Sequence, residues 1–363
     1  MSALTFERLS EKAFAAAAPE WDPLVRAMPR PSPWLLHPWL LEWWRHFGAG
    51  AELEVQVARR EGRLVAALPL FVRRRRGIRI GEFLGAHESP LADLLLAAGE
   101  PEETGGALAT RLAPGDAVDL FGLPEGSRLA TSLGRRLRIV RRVEAPVLDL
   151  KEGWEAVYTR KTSGKRRNLH RRRRKQLGEL GAVEVEVARE PGELEPALEE
   201  AFRLHDLRWS GRPDLSTFGS PEGQRFHRAA LRALAPLDVP RIVTLRVGGR
   251  GVAFHYFFVL ERTMYVHRLA FDPELGRYSP GLLNTLDALE AASAEGVQRV
   301  EFLGGTERYK LELADRFEPL HQGLGLARGL RGRGYVAARV AALAARRRLK
   351  RSETLRKLYY RNA

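Results

Sequence analysis

Val247-Gly-Gly-Arg-Gly-Val-Ala-Phe-His-Tyr-Phe-Phe-Val259 decides the fold assignment, because the chain carries this pattern twice. The earlier copy is Arg60-Glu-Gly-Arg-Leu-Val-Ala-Ala-Leu-Pro-Leu-Phe-Val72, and at a shift of 187 residues six of the thirteen positions are identical. Two apolar runs separated by a glycine-containing turn are typical of a β-hairpin. Similar hairpins also arise by chance, so one match alone does not establish a repeat.

Two further matches follow in the same order. Ser89-Pro90 corresponds to Ser279-Pro280, and Val118-Asp-Leu-Phe-Gly122 corresponds to Val300-Glu-Phe-Leu-Gly304. Three matches in one order indicate an internal duplication.

The duplicated unit predicts a hairpin, a crossover helix, a strand and a second helix. In the second copy we expect strands at 241–247, 251–260 and 263–271, a helix at 279–295 and a strand at 297–303. Strands that alternate with helices form α/β layers. The predicted fold class is therefore α/β, with two tandem halves that each contain a mixed β-sheet flanked by helices.

Length and composition are consistent with this organisation. At 363 residues the chain exceeds what one hydrophobic core usually serves, so two domains are expected. The absence of cysteine excludes disulfides, thiolate nucleophiles and cysteine zinc sites. No signal peptide is recognisable, and no apolar run approaches the roughly 18 residues of a membrane span, which favours a cytoplasmic location.

The net charge of +15 is concentrated in two segments. Residues 158–175 hold ten Lys and Arg and no acid, and residues 328–363 hold twelve basic residues and one acid. The first segment admits three interpretations: a solvated helix, contact with a phosphorylated or lipid-linked acceptor, or contact with tRNA. It lacks the aromatic residues that stack on single strands. The tail predicts a helix from Tyr335 with at most weak peripheral membrane contact.

Tyr278-Ser-Pro-Gly-Leu282 has the composition of a helix start. Ser279 suits the N-cap, Pro280 suits the first turn, and Gly281 keeps the backbone accessible. Free N–H groups at a helix N-terminus bind anions, although the same residues also serve as an ordinary cap.

A second motif, Val300-Glu-Phe-Leu-Gly-Gly-Thr-Glu-Arg-Tyr-Lys310, ends a strand in two glycines before a helix. Together the two motifs resemble the GNAT-type acyltransferase domain of the CelD-like group, relatives of the Fem aminoacyl transferases. The basic run 165–175 and the Trp-rich segment 38–44 also resemble that group. The sequence departs from the group's pattern at Glu301, where Asp is usual, and at Leu313, where Trp is usual.

The resemblance implies direct acyl transfer from acyl-CoA, with acetyl-CoA the expected donor, and no metal. It places coenzyme A at Arg277, Tyr278, Ser279, Gly281 and Leu282. The expected organisation is a degenerate half at 1–150, a basic helical linker at 151–182, a catalytic half at 183–327 and a basic helical tail at 328–363. The first half has Leu91 after Ser-Pro and no Tyr-Lys, so it lacks the cofactor motifs.

Four side chains are candidate catalytic groups, each with a structural alternative. Glu301 would act as the base, or pair with Arg299 or Arg268 in the core. Tyr309 would protonate the leaving thiolate, or pack as a core aromatic. Lys310 would hold a phosphate or an oxyanion, or remain a solvated charge. His255 would be a second base, or a hydrogen-bonded core histidine.

The acceptor is expected to contact Trp209, Arg212 and Phe218, which the sequence predicts to lie in a loop with exposed aromatics. The resemblance favours a small-molecule or sugar acceptor, such as an amino sugar in polysaccharide or cell-envelope synthesis. A Fem-type transferase that uses aminoacyl-tRNA is the main alternative, and no long coiled-coil insertion supports it. A catalytically inactive binding protein is a third possibility.

Overall fold

The computed structural model describes residues 3–112, 114–209, 217–305 and 307–351 of the chain. The chain divides into two compact units. The first unit comprises Met1–Val143 and Pro319–Ala363, and the second comprises Glu144–Glu318.

The first unit contains a mixed sheet with the strand order β1-β2-β3-β4-β6-β15-β7, and β5 pairs with β3. Its strands are β1 (Leu4–Arg8), β2 (Glu52–Arg60), β3 (Arg63–Arg75), β4 (Ile78–Phe83), β5 (Leu95–Leu96), β6 (Ala117–Pro124), β7 (Leu137–Val143) and β15 (Leu320–Gly325). Its helices are α1 (Glu11–Ala15), α2 (Ala18–Arg26), α3 (His37–Phe47), α4 (Glu102–Thr110), α5 (Arg128–Leu133) and α12 (Gly329–Arg351).

The second unit contains a mixed sheet with the order β14-β8-β13-β12-β11-β10-β9. Its strands are β8 (Pro146–Asp149), β9 (Val183–Ala188), β10 (Pro240–Val247), β11 (Arg250–Leu260), β12 (Thr263–Phe271), β13 (Arg299–Glu301) and β14 (Arg316–Phe317). Its helices are α6 (Trp154–Lys161), α7 (Gly164–Gly178), α8 (Pro191–Trp209), α9 (Pro221–Leu234), α10 (Pro280–Ala294) and α11 (Arg308–Leu313).

The duplication predicted from the sequence is visible in the pairing of the strands. In the first sheet β2, β3 and β4 are antiparallel neighbours and β4 pairs with β6 in parallel, starting at Ile80 and Ala117. In the second sheet β10, β11 and β12 are antiparallel and β12 pairs with β13 in parallel, starting at Thr263 and Arg299. The hairpin turns also correspond, since Gly62 and Gly249 have φ values of 80° and 78°, which favour glycine. The chain therefore has the predicted α/β fold with two tandem halves.

Each sheet also receives one strand from outside its own half of the sequence. Strand β8 follows the first half and pairs with β13 and β14, whereas β15 follows the second half and pairs with β6 and β7. The structure thus differs from the predicted boundaries. Residues 320–327 and the tail belong with the first unit, and residues 151–182 form α6 and α7 of the second unit instead of a separate linker.

The two halves differ in the segment that follows the third antiparallel strand, which is β4 in the first half and β12 in the second. Helix α10 begins directly after Ser279, and its apolar residues Leu283, Leu286 and Leu289 are buried. The chain after Ser89-Pro90 is extended instead, and α4 begins only at Glu102. The tail helix α12 packs on β4, β6 and β7 of the first sheet.

Within the described ranges, no helix has both the length and the apolar character needed to cross a membrane.

Candidate active site

The second sheet opens between β12 and β13. The two strands pair only at Thr263–Arg299, Met264–Val300 and Tyr265–Glu301, although β12 continues to Phe271. Beyond Glu301 the chain follows β8, because Phe302 N–H donates to the Pro146 carbonyl at 3.0 Å. The register of β11 and β12 also shifts between Tyr256 and Phe257, and such a bulge redirects a strand. The second half of β12 therefore has no parallel partner among the described residues.

The α10 N-terminus lies at the end of β12, as the sequence predicted, but its local conformation differs. Ser279 is left-handed, with φ 55° and ψ 49°, and its side chain makes no capping hydrogen bond. A Cβ atom at Gly281 would lie 2.7 Å from Phe271 Cδ1. Glycine is therefore required here for packing against Phe271, whereas the sequence interpretation gave it the role of exposing backbone. Pro280 has no N–H, and the N–H groups of Leu282 and Leu283 donate to the Ser279 carbonyl at 3.1 Å. Among the described residues, the Gly281 N–H is therefore the first-turn donor that remains for a ligand.

The predicted coenzyme A residues lie around this helix start. Arg277 and Tyr278 end the 3₁₀ helix Pro273–Tyr278. The Arg277 guanidinium lies 4.6 Å from the centre of the Tyr278 ring and donates to its hydroxyl. Leu282 is half-buried in the first turn of α10. Along this stretch Arg277 is exposed and Tyr278 is buried, whereas Ser279, Gly281 and Leu282 are partly exposed.

His255 lies in the middle of β11 and is fully buried. Neither ring nitrogen has a hydrogen-bond partner in the part of the chain that the structure describes. Burial, with a smaller contribution from the charge of Lys310, lowers the pKa of His255 to about 3. The imidazole is therefore neutral at physiological pH, and the hydrogen-bonded core histidine that the sequence admitted as the alternative is not what the structure contains.

Tyr309 packs in the same hydrophobic cluster as Val300 and Phe302, and its ring centre lies 6.2 Å from that of Phe302. Its hydroxyl is buried and has no partner among the described residues. Burial, followed by the negative charge of Glu307, raises the pKa of Tyr309. A buried hydroxyl without a partner destabilises a fold unless a ligand completes it.

Lys310 is buried and tied to the loop before its own helix. Its ammonium group donates to the Gly304 carbonyl at 3.3 Å and lies 3.1 Å from a Glu307 carboxylate oxygen. Through these contacts Lys310 holds the double-glycine loop in place. Gly305 of this loop has φ 138°. This contact differs from the solvated lysine that was the structural alternative.

Glu301 is fully buried and accepts hydrogen bonds from Arg299, which also bridges to Glu318. The ion-pair alternative that the sequence left open is therefore the arrangement found.

The predicted acceptor residues do not form one exposed loop. Trp209 is the last residue of α8 and is 40% exposed. Phe218 is fully buried and stacks on Phe254 at 6.1 Å between ring centres, so its assignment to an exposed binding loop is wrong. Arg212 lies outside the described residues.

A comparison with protein families matches part of the second unit. The family described as the acetyltransferase (GNAT) domain matches residues 164–311, less than half of the chain. This segment is therefore similar to a GNAT-type acetyltransferase domain.

Solved structures show the same fold over most of the chain. FemX has a TM-score of 0.58 at 9% identity, over 87% of this chain and 96% of its own. The C-terminal domain of a putative lysylphosphatidylglycerol synthetase from Agrobacterium fabrum has a TM-score of 0.55 at 15% identity, over 92% and 95%. A tandem GNAT protein from the clavulanic acid biosynthesis pathway has a TM-score of 0.50 at 14% identity, over 90% and 99%. No curated protein matches the chain.

The sequence interpretation did not include two polar residues of the second unit. Asn284 on α10 is buried and donates to the Val243 carbonyl at 3.1 Å, while its Oδ1 is buried without a partner in the described chain. Asp287, one turn later, pairs with Arg174. Both lie at buried positions of α10 among leucines, and polar residues at such positions were a signal that the sequence offered.

The basic segment 158–175 of the second unit forms more ion pairs than a solvated helix would. Arg166 pairs with Glu312 of α11, Arg174 pairs with Asp287 of α10, and Arg160 and Lys161 both pair with Asp315. These contacts are a physical reason for α6 and α7 to belong to the second unit.

Proposed function

We propose that the second unit transfers an acyl group from acyl-CoA, with acetyl-CoA as the expected donor, to an amine. The observation that carries the proposal is the opening between β12 and β13, where the strands diverge after three paired positions. The N-terminus of α10 lies at one end of this opening, and the unpartnered polar atoms of His255 and Tyr309 are buried in the same domain.

The donor would be held through its phosphates. The Gly281 N–H and the positive end of the α10 helix dipole favour a pyrophosphate. Arg277 supplies a cation next to that turn. A thioester chain that entered between β12 and β13 would bring hydrogen-bonding groups to buried atoms that lack partners.

In the transfer step, the amine nitrogen bonds to the thioester carbonyl carbon and the carbon–sulfur bond breaks, with the electron pair remaining on sulfur. We assign Tyr309 as the donor that protonates this thiolate. Its raised pKa keeps the phenol protonated at neutral pH, as a proton donor requires.

The attacking amine would lose its proton to water, and that proton balances the one given up by Tyr309. The Arg299 guanidinium occupies the Glu301 carboxylate through hydrogen bonds. His255 has a pKa of about 3 and is therefore a weak base at neutral pH. A neutral amine attacks without a strong base, whereas a hydroxyl needs one. An amine, such as that of an amino sugar, is therefore the preferred acceptor over a hydroxyl.

The first test is equilibrium binding of acetyl-CoA, coenzyme A and bulk tRNA, followed by turnover of acetyl-CoA with a panel of amines that includes amino sugars. The chain has no cysteine, so coenzyme A release can be followed with a thiol reagent without background from the protein. The proposal expects acetyl-CoA binding and amine-dependent thiol release. Binding of aminoacyl-tRNA without binding of acetyl-CoA would instead favour the Fem-type alternative.

The same proposal places the enzyme in the cytoplasm and, for a sugar acceptor, in polysaccharide or cell-envelope synthesis. Cell fractionation and the identity of the acetylated product test these two statements separately.

A further inference from the structure

The first unit contains a strongly basic region that two distant parts of the chain form together. Residues 126–143 and 319–345 contain ten Arg and no Asp or Glu. The two segments lie side by side, because β15 pairs with β7 and α12 packs on β7. Positive charge is therefore concentrated at the end of the first sheet where β7 is the last strand.

This charge is exposed where α12 begins. Arg136 and Arg328 line one cavity of about 240 Å³, and the Leu326 N–H donates to the Arg136 carbonyl at 3.0 Å. Arg331 and Arg333 follow in the first turns of α12. All four arginines are exposed, and none has a carboxylate partner among the residues that the structure describes. Cations at the start of a helix oppose its dipole, so an anion at this place is favourable.

The inner side of α12 packs on the sheet of its own unit. Val336, Val340 and Leu343 lie in one hydrophobic cluster with Val140 of β7 and Leu324 of β15. These residues explain the helical spacing of apolar residues in the tail. Since they are packed against the sheet, they do not contribute to an external surface.

The outer side of α12 is also apolar, although it is exposed. Leu330 is 87% exposed, and Ala337 and Ala341 lie about two and three turns later on the same side, both exposed. At 100° per residue, Arg331 and Arg333 lie on either side of Leu330. A solvated helix usually has polar residues on its outer side. An exposed leucine between arginines instead suits a surface that has negative charge above an apolar layer.

We propose that one surface of the first unit binds an anionic phospholipid membrane. This surface, the basic corner, consists of Arg136, Arg328, Leu330, Arg331 and Arg333. The arginines contact lipid phosphates, and Leu330 enters the boundary between the headgroups and the acyl chains. Nucleic acid fits less well, because the basic corner has no aromatic side chain on which a base could stack. The inference adds a location to the proposed function and does not depend on it.

The test is co-sedimentation of the whole chain with two kinds of vesicle, one of phosphatidylcholine alone and one that also contains phosphatidylglycerol. The wild-type protein should bind the anionic vesicles and not the neutral ones, and added salt should weaken this binding. The variant with Arg328→Ala, Arg331→Ala and Arg333→Ala should lose about 100-fold in partition coefficient, since each basic residue near an anionic surface contributes roughly fivefold. Its melting temperature should not change, because these side chains have no carboxylate partner to lose among the described residues.

Two controls separate the basic corner from general effects of charge and hydrophobicity. The variant with Arg171→Ala, Arg172→Ala and Lys175→Ala removes the same charge from exposed positions of α7, and it should bind anionic vesicles as the wild type does. Leu330→Ser should weaken vesicle binding by about tenfold. Leu180→Ser, at a leucine of the second unit that is 52% exposed, should leave it unchanged.

Equal partition of the wild-type protein into the two kinds of vesicle would overturn the inference. Full binding by the α12 arginine variant or by Leu330→Ser would overturn it as well, as would loss of binding in the α7 variant alone. If the wild-type protein bound bulk tRNA and no vesicles, and the arginine variant lost the tRNA, the basic corner would be a nucleic-acid surface instead. Acetyl-CoA binding is measured in parallel, and its absence alongside normal vesicle binding would count against the proposed function alone.

Discussion

The two units share a strand order, but they treat their buried polar groups differently. In the first unit Asp119 on β6 accepts hydrogen bonds from Gln322, Tyr335 and Arg339, so strand β15 and helix α12 complete its coordination. In the second unit His255 and Tyr309 are buried with polar atoms that no described residue completes.

This difference indicates where a ligand is needed. A folded chain rarely leaves buried polar atoms without partners, because each costs about 1–3 kcal/mol. In the first unit, strand β15 and the tail helix supply partners to Asp119. Buried atoms without a partner also occur there, on Arg73, Arg79 and Arg128, but each of these guanidinium groups forms an ion pair through another atom. The comparison supports the proposal that the second unit binds the donor and that the first unit has a supporting role.

The largest expected effect comes from Tyr309→Phe. Turnover should fall by about 10²–10⁴-fold, because a positioned proton donor is lost. The melting temperature should stay unchanged or rise, because the hydroxyl has no partner to lose. Steady-state kinetics and thermal unfolding measure the two effects.

Tyr335→Phe in the first unit is the matched control for this change. Its hydroxyl donates to Asp119 at 3.3 Å, so this variant should lose some stability and keep its turnover. If Tyr335→Phe lost turnover and Tyr309→Phe lost only stability, the roles proposed for the two units would have to be exchanged.

A smaller effect is expected from the pH dependence of Asp287. Burial raises the pKa of its carboxyl to about 6, against the opposing charge of Arg174. A raised folded-state pKa gives stability that is present below the unfolded value of 3.8 and lost as the pH rises through 6. Asp287→Asn should therefore gain up to roughly 3 kcal/mol relative to wild type between pH 4 and pH 7.

Asp315 provides the control, since its pKa is shifted in the opposite direction. Burial raises the pKa of Asp315, but hydrogen bonds from Arg160 and Lys161 outweigh burial and lower it to about 2. Its stabilising effect is lost only as the pH falls below 3.8 toward 2, so Asp315→Asn should give a flat difference between pH 4 and pH 7. Urea unfolding of both variants between pH 4 and pH 7 measures how far their free energy of unfolding differs from that of the wild type. A difference for Asp287→Asn that does not change with pH would contradict the raised pKa of Asp287.

The support role of the first unit is tested by Asp119→Ala. This change removes the acceptor for three donors and should lower the free energy of unfolding by about 2 kcal/mol. The affinity for acetyl-CoA should not change, since Asp119 lies in the first unit. Loss of nucleotide binding in a variant that remains folded would show that the first unit holds the donor.

The smallest effect is expected from the outer face of α7. Replacing Arg171, Arg172 and Lys175 by Ala should change the free energy of unfolding by about 0.5 kcal/mol or less, since they are exposed and have no carboxylate partner among the residues the structure describes. Arg174→Ala, by contrast, breaks the pair with Asp287 and should be clearly destabilising. Chemical denaturation of the two variants separates the outer face from the inner one.

Sequence periodicity was sufficient for the regular elements of the second unit. The predicted strands at 251–260 and 263–271 and the helix at 279–295 match β11, β12 and α10 closely. These segments have clear apolar periodicity and are bounded by turn residues such as Gly and Pro. The exchange of β8 and β15 was not predictable in this way, because strand pairing between distant segments leaves no local signal.

The candidate site was only partly predictable for the same reason. The motifs located Tyr309, Lys310 and the start of α10, but not the partners that define their chemistry. Arg299 lies two residues from Glu301 and was a foreseeable partner, whereas the packing of Phe271 against Gly281 required the strand and the helix to be placed together. The burial of Phe218 likewise depended on contacts with Phe202 and Phe254.

Hydrogen–deuterium exchange with and without acetyl-CoA tests most directly whether the second unit alone holds the donor. The account predicts that acetyl-CoA protects amides at the end of β12, at the start of α10 and in residues 302–305, and leaves β4, β6 and α12 unchanged. Protection in β4 and β6 without protection at the start of α10 would contradict it.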